Sequence, residues 1–87
     1  MPLFYLHLCD SEGYHRDEEG VEVGDLAAAR ASAILGLRDT LAGEIQWGQL
    51  NIGAYIDIED ETRRQVDTVQ FADAVRIANK TVLKPDV

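Results

Sequence analysis

Cysteine is nearly absent: Cys9 stands alone among 87 residues, which excludes an intramolecular disulfide and any zinc site built from several thiolates. Basic residues are scarce as well. Eight Lys and Arg face sixteen Asp and Glu, for a net charge of −8. A nucleic-acid binder needs a basic stripe to neutralise phosphates, and the only basic groupings are Arg63–Arg64 and the scattered set Arg76, Lys80 and Lys84. Contact with DNA or RNA is therefore not expected. Long hydrophobic runs are missing too. The opening MPLFYLHLCD has no basic start, and its apolar stretch is too short and interrupted for a signal peptide or a membrane span. The expected location is the cytoplasm, without a membrane partner. There is no glycine-rich phosphate loop, no G-x-S-x-G elbow and no H-E-x-x-H helix. No cofactor or small-molecule substrate is indicated, and the chain does not read as an enzyme.

What is present is ordinary globular material. Hydrophobic residues make up 46% and charged residues 28%, enough apolar content to fold but, at this length, only around a thin core. One domain is expected over residues 1–78, with 79–87 as a flexible tail. Leu3 to Asp10 alternate, Phe4, Leu6 and Leu8 on one side and Tyr5, His7 and Cys9 on the other, which reads as a strand inside a sheet. A polar stretch with a short extended piece at Val21–Val23 follows. Asp25 then stands where an N-cap is needed, before an amphipathic helix of about five turns. Leu26, Ala29, Ala33, Leu37 and Leu41 form its core face, flanked by Ile34, and Gly43 should loosen its last turn. Ala54 to Glu59 alternate as a second long strand, DETRR makes a hairpin connection, and Gln65 to Phe71 form the partner, with a phase break after Val66 that suggests a bulge. Asp73 should cap a short turn through Ile77. The expected fold is α+β, a two-layer β-α-β-β domain with one long helix packed on a small, mainly antiparallel sheet.

The strand LFYLHLCD, the turn DEEG, the helix start DLAAARASA, the pair AYIDIEDE and the close VQFADAV come in an order that resembles a widespread family of small bacterial domains of unknown function. The likeness covers about Leu3 to Val75. It implies the fold and a bacterial, cytoplasmic setting, and no catalytic role. That family usually has tryptophan where Tyr55 stands and glycine in the hairpin where ETRR occurs, which implies a longer or stiffer hairpin here.

The acidic run Asp17-Glu18-Glu19 before Gly20 lacks the alternating ligand spacing of a calcium loop. It reads as a D-x-x-G turn, with Asp17 bonding back to amides and Gly20 supplying a positive φ. Asp57, Glu59, Asp60 and Glu61 read as solvated carboxylates on an open strand face with ordinary pairing to Arg63 and Arg64. Arg30, at the border of the apolar face, should extend its guanidinium toward the acidic turn. His7 and Cys9 share a strand face, and with His15 they raise a metal-binding or thiol-using alternative. Residues at i and i+2 of a strand lie roughly 6–7 Å apart, too far for a direct proton relay.

The less expected feature is the back of the helix. Ala28, Ala31, Leu35 and Ala42 fall within about 60° of one another, opposite the core face. A small-residue stripe centred on leucine suits close contact with a protein partner or a second copy. The sheet face of Tyr5 and His7 is the other candidate. The sequence thus points to a non-enzymatic domain acting through protein contacts, with homodimerisation as one form. An antitoxin-like or regulatory domain that binds a basic protein is the alternative.

Overall fold

The computed structural model describes residues 1–79. In chain order its elements are β1 (Leu3–Asp10), β2 (Gly13–His15), β3 (Val21–Glu22), α1 (Leu26–Gln46), β4 (Tyr55–Glu59), β5 (Gln65–Gln70) and α2 (Phe71–Ala74). All pairings are antiparallel, and the long helix lies on one face of the sheet, so the fold is the expected two-layer α+β arrangement. Of the expected tail, 79–87, all but Asn79 lies outside the described residues.

β1 is the central strand. One edge pairs with β4, which pairs in turn with β5. The other edge is shared by two short strands: β2 pairs with Leu8–Asp10, and β3 with Leu3 and Phe4. β2 was not expected from the sequence. Its three residues, Gly13-Tyr14-His15, are all exposed, so no apolar alternation announces them.

α1 starts where Asp25 accepts the Ala28 N–H at 2.8 Å, which satisfies one of the free amides of the first turn. Ala29, Ala33, Leu37 and Leu41 are its buried residues. Three turns of i, i+4 spacing set them in one row, and the two alanines let the helix lie close to the sheet. Leu26 is expected in that row but keeps 36% of its surface exposed at the first turn, and the buried row begins at Ala29. Helical structure continues past Gly43 to Gln46. The core is completed by Phe4, Ile56, Ile58, Val69 and Phe71. Fully burying a side chain such as Leu37 contributes about 1.5–3 kcal/mol.

The bulge falls at Val66. Ile58 pairs with Asp67 and Glu59 with Gln65, which leaves Val66 as the extra residue. The hairpin before it is hydrogen-bonded within itself. Asp60 Oδ1 accepts the Thr62 N–H, the Thr62 hydroxyl and the Arg64 N–H, and Arg63 takes the left-handed conformation, φ 66°. Phe71 opens α2 instead of closing β5, and α2 ends at Ala74, short of Ile77. Asp73 acts from within α2, accepting the Gln70 N–H at 2.8 Å. Arg30 does not reach the acidic turn. Its guanidinium bridges Asp67 at 3.0 Å and Asp73 at 3.1 Å, and Arg38 Nε donates to Ala74 O at 2.7 Å, so both arginines tie α1 to the C-terminal elements.

Gly20 has φ 77°, and a Cβ placed there would lie 2.8 Å from Phe4 O and 3.0 Å from Leu3 Cδ1. The turn leading into β3 therefore needs glycine for its backbone conformation and for its closeness to β1. Gly20→Val is expected to destabilise the domain by more than the roughly 1 kcal/mol of an average substitution. A urea midpoint equal to that of the wild type would show that the turn tolerates a side chain.

Candidate functional site on the outer face of the sheet

The face of the sheet away from α1 collects the outward residues of β1 and β4. Tyr5 lies opposite Glu59, His7 opposite Asp57, and Cys9 opposite Tyr55. At its centre His7 is completely buried, at 0% exposure. A buried polar group without partners costs about 1–3 kcal/mol, and His7 has a partner on each ring nitrogen. The Asp17 backbone N–H donates to Nδ1 at 2.9 Å. That nitrogen must then lack a proton, so Nε2 carries it and donates to Glu59 Oε1 at 2.8 Å. The Tyr5 ring lies nearly parallel to the imidazole, with 6.4 Å between centroids, and Tyr14 is tilted against it at 5.8 Å. Arg63 extends over the Tyr5 ring, 3.5 Å from its centroid, with Nη1 3.7 Å from Glu59 Oε1. The left-handed backbone at Arg63 thus places a cation over the Tyr5 ring.

Asp17 does more than close a turn. Its Oδ1 accepts the Gly20 and Glu19 N–H groups at 2.9 and 3.2 Å, and its Oδ2 accepts the Leu6 N–H at 3.0 Å. Leu6 lies on the stretch of β1 between the part paired with β2 and the part paired with β3. The carboxylate takes the place of the missing strand there, and the amide of the same residue reaches His7. One residue completes the β1 edge and fixes the tautomer of the buried histidine.

Burial pushes the Asp17 carboxyl up, but the amides of Leu6, Gly20 and Glu19 outweigh it and hold the group below the ordinary carboxylate range. The His7 Nε2–H holds Glu59 low against desolvation, with the charges of Arg16 and Arg63 adding to the effect. Pairing with Cys9 pushes the Tyr55 phenol up.

The expectation of solvated carboxylates on β4 fails at two positions. Asp57 accepts from the Thr68 hydroxyl at 3.0 Å and from Gln65 Nε2 at 3.3 Å, and Glu59 is committed to His7. Both were missed because their partners come from other strands. The one signal was the matching alternation of β1 and β4, which an antiparallel register brings face to face. His7 presents no surface, so of the sheet-face pair only Tyr5 can meet a partner. His7, Cys9 and His15 do not form a ligand set. His15 is exposed and bonded to Asp10 Oδ1 at 2.9 Å, and both His7 nitrogens are taken. Among the described residues no group of three or more His, Cys, Asp or Glu is placed to hold an ion. On α1, Ala31, Leu35 and Ala42 are exposed as expected and Ala28 is half-buried. In its present bonding His7 has no free lone pair for a substrate proton. What the cluster does is hold a loop to a sheet.

The profile of the family described as Domain of unknown function (DUF6894) matches residues 3–72. The chain belongs to that family. The matched span runs from the first residue of β1 into α2, so Asp17, His7 and Glu59 of this DUF6894 chain all lie within it. Comparison with curated proteins and with solved structures gives no match. No helix among the described residues is long and apolar enough to cross a membrane.

The Asp17 side chain faces only donors, so Asp17→Asn would turn an NH2 toward an N–H. It is expected to cost about 1–3 kcal/mol at pH 7. The folded pKa of Asp17 lies below its unfolded value of 3.8, so its stabilising effect is complete above that pH and is lost as pH falls through the folded value. Urea unfolding of the wild type should therefore show a steeper loss of stability below about pH 4 than the variant does. Parallel acid slopes would remove the carboxylate from this role.

Proposed function

We propose that this domain is a non-enzymatic interaction module whose working surface is the back of α1 and the loop that follows it. The observation that carries the reading is the exposure of large apolar side chains there: Leu35 at 61%, Ile45 at 60% and Trp47 at 87%. Leu50 and Ile52 continue the exposed series within the loop. Scattered exposed hydrophobics such as Met1, Tyr14 and Ile77 are normal on any protein, but five between Leu35 and Ile52 are a concentration that suits a contact surface. Ala31, Leu35, Ala42 and Ile45 fall within about 80° on the helix, so they present one side together.

Two further features direct contacts to this surface. Side chains occupy parts of the sheet margin: Asp17 fills the gap on β1 between β2 and β3, while on β5 the Thr68 N–H donates to Asp67 Oδ1 and Arg30 Nη1 approaches Thr68 O at 3.4 Å. Such blocking discourages strand-to-strand pairing with another chain. The polar cluster of the outer face is bonded within the chain. A second copy is the simplest occupant of the Leu35 stripe, since a twofold axis there would set Leu35 against its own copy or the alanines beside it.

In analytical ultracentrifugation the wild type is expected to self-associate as concentration rises, and Leu35→Glu to sediment as a monomer with an unchanged circular dichroism spectrum. A wild-type monomer throughout, or a dimer indifferent to that substitution, would remove the helix stripe from the interface.

A further inference from the structure

Where α1 ends, its last turns and the β1–β2 turn enclose a groove of about 390 Å³. Asp10 and Glu12 line it from the turn, Gly43 and Glu44 from the helix, and Trp47 from the loop. Its ionisable lining is acidic throughout. Asp10 accepts from His15 and from the Glu12 N–H, and Glu44 accepts the Asn51 N–H, but among the described residues no Arg or Lys lines the groove. Four of the arginines are engaged elsewhere: Arg16 with Glu18, Arg30 with Asp67 and Asp73, Arg38 with Ala74 O, and Arg63 with Tyr5 and Glu59. The C-terminal end of α1 adds the negative end of the helix dipole, and its last turn contains no basic residue.

The groove is also kept open. Gly43 lies inside a helix, where glycine is unfavourable, yet a Cβ there would meet nothing within 4 Å. Close packing does not explain the glycine. Its lack of a side chain leaves the floor clear beside an indole that is 87% exposed.

We propose that this groove receives an arginine or lysine side chain from an amphipathic segment of a partner protein, the cation lying against the Trp47 indole between Glu12 and Glu44. Indole faces attract cations, and carboxylates without internal counter-charges select a basic partner. A second copy is a poor occupant here, because it would bring identical carboxylates together on chains that each carry −8. The proposal rests on the reading of the domain as a contact module and names the chemistry of its partner.

Trp47 is the only tryptophan, so its emission reports on the groove directly. The full chain would be titrated with an amidated peptide of repeated Lys-Leu-Leu-Lys units and with its Glu-Leu-Leu-Glu counterpart. The lysine peptide is expected to give a saturable blue shift, and the glutamate peptide none. Gly43→Leu fills the groove without changing charge and favours the helix; it and Glu12→Gln should each weaken binding by at least about tenfold. Glu19→Gln removes the same charge outside the groove and should leave affinity within about twofold. Absence of binding, full binding by Gly43→Leu, or equal weakening by Glu19→Gln would overturn the proposal. So would a concentration-dependent blue shift of the protein alone that Gly43→Leu abolishes, since that would make the occupant a second copy. Leu35-dependent self-association that survives such a failure would leave the contact reading standing and remove only the groove.

Discussion

Everything on the β1 edge depends on one carboxylate. β2 and β3 each pair with only part of β1, and neither bonds the Leu6 N–H, which Asp17 accepts instead. The same side chain takes the amides of Glu19 and Gly20, and the same residue's N–H fixes His7. A hydrogen bond to a charged group contributes about 1.5–3 kcal/mol, a large fraction of the stability of any small domain. With Asp17 in place, the loop between β2 and β3 is bound to the sheet and a histidine is buried without an unmet nitrogen. No buried side-chain nitrogen or oxygen among the described residues lacks a partner.

The sequence made local features legible and distant ones illegible. β1 could be read from strict alternation, α1 from its apolar row and Asp25, and the Asp17–Gly20 turn from two residues whose backbone preferences are strong. The bulge showed as a phase break near Val66. By contrast, β2 is three exposed residues with no periodicity. Arg30 was read toward the nearest acidic run, but its partners lie 37 and 43 positions along the chain, and only the fold brings them close. Glu59 is 52 residues from His7, so the bond at the centre of the outer face could not be inferred before the register of β1 and β4 was known. Trp47 went unremarked because QWGQLNIG has no periodicity to assign it to a face.

Taken together, the polar groups of the outer face are spent on each other, whereas the apolar groups around the end of α1 are spent on nothing within the chain. This division argues for work done by contact rather than by chemistry at His7. It also agrees with the charge distribution: Arg30 and Arg38 hold α1 to β5 and α2, Arg63 covers Tyr5, and among the described residues the groove at the end of α1 has only acidic ionisable groups. DUF6894 membership assigns no activity, and the exposed surface supplies the proposed functional reading.

The account depends most directly on the state of His7, and the ring can be observed by itself. A long-range ¹H–¹⁵N correlation spectrum of the folded domain at neutral pH separates the two neutral tautomers of each histidine, and a His15→Gln variant assigns the signals. The predicted result is a proton on Nε2 with Nδ1 shifted as an acceptor, lost together with protection of the Leu6 amide in Asp17→Asn. A proton on Nδ1 would contradict the bond from Asp17, and with it the claim that one residue both completes the strand edge and withholds this histidine from chemistry.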